Sequence, residues 1–377
     1  MIEVKSINKI RASSELPEIF SYKEDLDLLR SQLSPYIGKK VIVVGNGGSI
    51  TSFQTYREAF GKENESQIVW SMDPHLIEKT RKNFSPEESV VVAISKSGNT
   101  IGAIVALSCF PEYETIAVFE DTKNALRDLS LTKGWMTISH PTIGGRFSGG
   151  TSSAFVPAMI IGIDVSAIAE GMTDGYLMKD EAYSLAKGLF DLEEQGYTEL
   201  YVPIYSSALS GIKDLFIQLM HESVCKDGRG QTVYAAMGPE CQHHTNQRFF
   251  GGRKNVAALF IAMDSLSSDA FVSIPQDAFE VKAKGVPLRV LHNLPLRKAL
   301  EAEYLGTRRN AEEEGIPVFD IKISDSSHRT IGELVAFLHL LAFYSADLRG
   351  VNPFDQPAVE RSKNITIDIL GSRREEF

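Results

Sequence analysis

Short apolar runs alternate with amphipathic stretches over most of this chain. Strands are expected at 40–45, 67–71, 90–95, 115–119 and 134–138, and helices at 50–61, 74–82, 99–109 and 151–165. The run Val90-Val91-Val92-Ala93-Ile94 has no polar interruption, which is the pattern of a strand buried on both faces of a parallel sheet. Thr198-Glu199-Leu200-Tyr201-Val202-Pro203-Ile204-Tyr205 then reads as a new first strand, followed by a long amphipathic helix ending near Cys225. Further strands are expected at 256–262, 287–292 and 317–323, with helices at 294–313 and 328–346. The pattern divides the chain into a helical arm over 1–35, a first α/β unit over 36–170, a helical bridge over 171–195, a second α/β unit over 196–348 and a C-terminal segment over 349–377. Such alternation builds mainly parallel sheets with helices on both faces. No low-complexity segment or short-period repeat interrupts it.

Composition narrows the partners. The 377 residues are 43% hydrophobic and 23% charged, with a formal net charge of −10. An acidic chain without a Lys/Arg-rich run gives no support for nucleic acid or an anionic membrane as a partner. An anionic substrate would need its own local cations. No apolar run approaches the roughly 18 residues of a membrane span. The start, Met1-Ile2-Glu3-Val4-Lys5-Ser6, has no apolar signal core. Three cysteines without framework spacing fit a reducing cytoplasm, so a cytoplasmic location is expected.

The candidate chemistry lies where strands hand over to helices. Ser95-Lys96-Ser97-Gly98-Asn99-Thr100 follows one buried strand, and Gly45-Asn46-Gly47-Gly48-Ser49 follows another. Backbone N–H groups at such turns carry the positive end of a helix dipole and suit a phosphate. The second turn is neither a dinucleotide fingerprint, because Ile50 stands where the last glycine belongs, nor a Walker motif. Taken alone it could be a purely structural turn; together the two can converge on one phosphate. Gly144-Gly145-Arg146-Phe147-Ser148 adds an arginine among glycines, able to bring a permanent positive charge close to a ligand. By themselves Glu222 reads as a solvated charge, His243 or its neighbour His244 as a structural histidine, and Lys363 as a surface lysine. Cys225, Cys241, His243 and His244 lack paired spacing for a closed zinc site, so no metal is expected.

Taken in order, the motifs Gly47-Gly48-Ser49, Ser95 to Thr100 and Gly144 to Ser148 resemble those of the glucose-6-phosphate isomerase family, two-subdomain proteins of the sugar isomerase (SIS) fold. His221-Glu222-Ser223-Val224-Cys225-Lys226 is similar to the family's catalytic-glutamate segment. Gln242-His243-His244-Thr245-Asn246-Gln247 is similar to its Gln-His-x-x-x-Gln motif, and Phe354 to Lys363 to its C-terminal active-site-lysine segment. The resemblance implies two flavodoxin-like SIS subdomains with the site outside the C-terminal ends of the strands. It also implies reversible isomerisation of D-glucose 6-phosphate and D-fructose 6-phosphate, in glycolysis and gluconeogenesis, with no cofactor. Gly48, Ser49, Ser95, Lys96, Ser97, Thr100, Gln247 and Gln356 would bind substrate. His243 and Lys363 would assist ring opening, Glu222 would move the proton, and Arg146 would stabilise a cis-enediolate. A glutamate suits that role if burial raises its pKa towards neutrality. The resemblance further implies a homodimer in which the histidine motif enters the neighbouring subunit's site. Asn46 and Val224-Cys225 depart from the family pattern, and family members are commonly longer. The alternatives are an isomerase of another phosphosugar, mannose 6-phosphate included, or a non-catalytic SIS protein that senses a sugar phosphate.

Overall fold

Apolar runs become strands and the amphipathic stretches between them become helices. The structure, a computed structural model, describes residues 1–12, 14–264 and 270–372; residues 373–377 of the expected C-terminal segment lie outside the described residues. The chain opens with β1 (Ile2–Lys5) and α1 (Leu26–Leu33). Strand and helix then alternate through β2 (Lys40–Val44), α2 (Gly48–Ala59), β3 (Ser66–Val69), α3 (Pro74–Asn83), β4 (Ser89–Ile94), α4 (Ile101–Leu107), β5 (Glu114–Phe119), α5 (Ala125–Lys133) and β6 (Met136–Ser139). Three helices follow: α6 (Ser152–Ile160), α7 (Val165–Tyr176) and α8 (Lys179–Glu194). A second alternation runs β7 (Glu199–Tyr205), α9 (Ile212–Val224), β8 (Thr232–Met237), α10 (Thr245–Gly251) and β9 (Val256–Met263). After a small hairpin of β10 (Lys282–Ala283) and β11 (Val286–Pro287) come α11 (Leu296–Glu313), β12 (Val318–Ile323), α12 (His328–Leu348) and α13 (Glu360–Ser372).

The first sheet is parallel throughout, in the order β3-β2-β4-β5-β6. Its continuous apolar strands are explained by two covered faces. Val41, Val43, Val90 and Val92 point into the large central core, while Ile42, Val44, Val91 and Ala93 pack with Ile77, Leu107 and Leu126 of the outer helices. The second sheet has the order β1-β12-β9-β7-β8 and is parallel except for β1. Leu200, Val202 and Ile204 face the central core; Tyr201 and Tyr205 face a separate cluster under α10 and α11. These are the two mainly parallel, helix-layered sheets of an α/β fold.

Several elements differ from expectation for identifiable reasons. Residues 2–5 alternate apolar and polar (Ile2, Glu3, Val4, Lys5) and pair antiparallel with β12 rather than joining a helical arm. The helix expected over 151–165 is divided, because Gly162 adopts φ +78° and Asp164 caps a new helix by accepting the Ser166 and Ala167 N–H groups. The strand expected at 287–292 is instead the end of the small hairpin and a 3-10 turn, with Val290 and Leu291 exposed.

Helix α12 is long and apolar enough to cross a membrane, yet 89% of its apolar window is buried inside the fold. It packs against α7, α8, α9 and β1 as the central core helix. Its His339 is fully buried, and Nδ1 lies 2.9 Å from the Tyr176 hydroxyl. Burial pushes the His339 pKa down to about 3. An unfolded chain protonates a histidine near pH ~6.5, so as the pH falls below that value the unfolded state takes up a proton that the folded state refuses. Stability should therefore fall with pH at up to about 1.4 kcal/mol per unit from this group. Burial also lowers His140, His221 and His328, which adds to the same trend. Urea unfolding at pH 7 and pH 5 should show the loss, and His339→Gln should shallow it; an unchanged slope in that variant would remove His339 as a cause.

Candidate active site

In the first sheet the strand order reverses between β2 and β4, the place where ligands of open α/β sheets collect. Both hydroxyl-rich turns leave the C-terminal ends of these adjacent strands. They abut: a Cβ on Gly45 would lie 3.0 Å from the Ile94 carbonyl. In the second turn the Ser95 hydroxyl donates to Thr100 Oγ1 at 3.1 Å, and Gly98 takes φ +63°. A Cβ on Gly98 would collide with the Asn124 side chain, which itself caps α5 through the Arg127 N–H. The turn is thus braced from behind by the next helix. Lys96 Nζ stands 3.8 Å from Glu120 and Ser97 is exposed.

The third turn rests on the first. A Cβ on Gly48 would come within 2.2 Å of the Arg146 backbone nitrogen, so only glycine allows the two chain segments to meet here. Arg146 is buried, and all five of its N–H donors are used. Nε donates to Ser223 Oγ at 2.7 Å, Nη1 to Glu222 Oε2 at 3.0 Å and to Gln356 Oε1 at 2.8 Å. Nη2 donates to the carbonyls of Pro353 at 2.5 Å and Asp355 at 2.9 Å. Burial draws the guanidinium pKa below its ordinary value, and the Glu222 carboxylate pulls the other way. The C-terminal segment has a second anchor in Lys226, whose Nζ lies 2.8 Å from Asp355.

Glu222 sits in the last turn of α9, with its side chain about one-third exposed (31%). Its Oε1 accepts from Gln218 Nε2 at 3.0 Å, and Gln218 Oε1 accepts from the Thr51 hydroxyl at 3.0 Å. Carboxylate orientation is therefore set from both sides. Gln218, Ser223 and Thr51 were absent from the sequence-derived site; Gln218 could have been found as the residue one helical turn before Glu222 on the same face.

The remaining expected residues stand apart from this cluster. His243 and Gln247 are exposed, on the 3-10 turn after β8 and on α10. His244 is exposed too, with Nδ1 2.6 Å from the Thr245 hydroxyl. Lys363 projects from α13 and pairs with Glu360 at 2.7 Å. Within one chain, Glu222 and His243 lie towards opposite ends of β8. His221 Nε2 accepts the N–H of Val233 at the start of that strand, whereas His243 follows its end. The site thus uses the C-terminal ends of the first sheet but the other end of the second, a difference from the expectation for both. The same separation places Cys225, whose thiol meets the Gln231 carbonyl, away from Cys241. Among the described residues no group of three or more His, Cys, Asp or Glu is arranged to hold a metal ion.

No family model matches the chain. A protein of Haloarcula marismortui named as a probable glucose-6-phosphate isomerase is 28% identical over 92% of this chain and 81% of its own length. A glucose-6-phosphate isomerase of Acholeplasma laidlawii is 24% identical over 88% of this chain and 83% of its own. The crystal structure of a glucose-6-phosphate isomerase from Chlamydia trachomatis superposes with a TM-score of 0.72 at 19% identity, covering 93% of this chain and 73% of the other. By sequence over most of its length, and by its SIS fold, this chain is a homologue of the glucose-6-phosphate isomerases.

Proposed function

We propose that the protein interconverts D-glucose 6-phosphate and D-fructose 6-phosphate, a step of glycolysis and gluconeogenesis, by proton transfer through a cis-enediolate. The observation that carries this is the Arg146 hub, which joins Glu222 and Gln356 directly beside two turns fit for a phosphate. Ser49, Ser95, Lys96, Ser97 and Thr100 hold the phosphate, with the backbone N–H groups of the turns. Gly48 admits the Arg146 loop. Glu222 removes the proton from C2 of the open-chain aldose and returns it to C1; its bonds to Arg146 and Gln218 use two of its four lone-pair directions. Because every Arg146 donor is engaged, its charge stabilises the enediolate through space, or by exchanging the Gln356 bond for a sugar oxygen. Gln356 and Gln247 contact sugar hydroxyls, and His243 and Lys363 assist ring opening.

His243 reaches a site only if a second copy supplies it. The stretch of β8 from Val233 to Met237 alone separates it from Glu222 by about 13 Å. Two exposed apolar surfaces support a homodimer. Ile365, Ile367, Ile369 and Leu370 of α13 are each about half exposed, and Trp70 and Met72 are exposed beside the phosphate turns. The test is purified protein with fructose 6-phosphate, detecting glucose 6-phosphate through a coupled dehydrogenase, with light scattering at the assay concentration. Turnover by a dimer is expected, and should survive a chelator. Mannose 6-phosphate in parallel reads the breadth of the pocket. Binding of fructose 6-phosphate without turnover would replace the isomerase by a sugar-phosphate sensor, and an active monomer would end the shared-site reading.

A further inference from the structure

The two halves of the chain share the order of four parallel strands but use its reversal point differently. In the first sheet the crevice between β2 and β4 belongs to the site described above. In the second sheet the order reverses between β7 and β9, where Tyr205 and Ala262 stand in register at the strand ends. A cavity of about 170 Å³ opens there, on the face covered by α11. It shares no residue with the Arg146 cluster and lies at the end of the sheet away from Glu222.

Its walls carry three cations against two carboxylates, Asp264 and Glu301, together with two tyrosines. Arg297 and Lys298 come from the first turn of α11, Lys322 from β12, and Tyr205 and Tyr304 form the floor. The Lys322 side chain is only 14% exposed and its ammonium lies 4.0 Å from the centre of the Tyr304 ring. Its nearest carboxylate among the described residues, Asp264, is 3.7 Å away, too long for a hydrogen bond. Tyr304 is itself fixed, donating to the buried Asp320 at 2.6 Å. Glu301 is engaged by Lys298, whose hydrogen bond is the largest influence holding that carboxyl below the usual range. Arg297 makes no ion pair among the described residues, although its charge reaches Glu301. Among the described residues the Lys322 ammonium has a charge partner and a ring face but no acceptor within hydrogen-bond distance, and an oxyanion between Lys322 and Arg297 would supply one.

We infer that this second reversal point binds a small oxyanion, a phosphate monoester or a compact carboxylate. The cavity is below the roughly 300–1,000 Å³ of drug-sized pockets, which confines the occupant to a headgroup with a short stem. The inference stands independently of the isomerase reading.

Lysine acylation of the full chain, with and without inorganic phosphate at constant ionic strength, tests it residue by residue. Saturating phosphate should slow labelling of Lys298 and Lys322 while Lys282 and Lys284 on the exposed hairpin are unaffected. Protection at Lys96 reports the other turn separately, so the two sites fail or succeed independently. Arg297→Ala removes an exposed residue, and should raise the phosphate concentration for half-protection about tenfold, as for loss of one charge-assisted bond. Labelling of Lys298 and Lys322 that tracks the hairpin lysines, or an unshifted midpoint in Arg297→Ala, would overturn the proposal.

Discussion

Glu222→Gln should lower kcat by about 10²- to 10⁴-fold, the range for loss of a general base, with little change in KM or thermal stability. The fold can keep its bonds. Glutamine's oxygen still accepts from Arg146 Nη1, and its new amide meets Gln218, which can turn its own oxygen forward while the Thr51 hydroxyl rotates to accept. What is lost is the ability to take a proton. Exchange of the substrate's C1 or C2 hydrogen in D₂O, followed by NMR, should therefore fall in parallel with turnover. Mixing this variant with His243→Ala should restore activity, because in a mixed dimer one site regains both an intact Glu222 and an intact His243. Near-normal turnover in Glu222→Gln would remove this residue from the proton transfer. Failure of the mixture would mean that His243 serves its own chain or none.

The first sheet could be read from the chain because burial on both faces leaves nothing but apolar residues in a strand such as Val90 to Ile94. Other elements depend on partners far away in sequence. β1 is a strand because β12, more than 300 residues later, offers it an edge, with Ile2 opposite Ile323. β8, with the sequence Thr-Val-Tyr-Ala-Ala-Met, has too little contrast between its faces to stand out, yet it pairs with β7 along six residues. Conversely the apolar segment near Val286 to Leu291 looks like a strand, but Pro287 and its solvent exposure leave it as a hairpin end.

Of the candidate site, the side chains that meet at Arg146, namely Glu222 and Gln356, were legible in the chain, and the scaffolding that joins them was not. The glycine-rich turn with Arg146 announces close approach, and Gly48 meets it at 2.2 Å as such a turn requires. Two of the five Arg146 acceptors are backbone carbonyls, of Pro353 and Asp355, which carry no sequence signature. Nor does spacing reveal that α9 runs back down the sheet, so that Glu222 finishes near the start of β8 while His243 follows its end. That geometry follows from the crossover connection of a parallel sheet, and it turns two nearby motifs into residues on opposite sides of the same domain.

Arg146→Lys should be the second most damaging substitution, although it keeps the charge. A lysine brings three donors at one point, whereas the guanidinium reaches five acceptors spread over α9 and the C-terminal segment. At least two of the five acceptors lose their partner, and those on the part-buried C-terminal segment can turn to water, so each costs less than the about 1–3 kcal/mol of a fully buried orphan. Lys226 still holds Asp355, so residues 352–356 should loosen rather than detach. Three consequences are expected together: a lower Tm, faster proteolysis around 349–360, and a fall in kcat of at least about 10²-fold because Glu222 and Gln356 are no longer held in common. A charge acting through space alone predicts otherwise, since lysine would supply it: kcat close to wild type with an unchanged proteolytic pattern would show that the fork geometry is dispensable. Restoration of segment order by fructose 6-phosphate without recovery of kcat would separate the two duties, assigning segment docking to the substrate and orientation of Glu222 to the guanidinium.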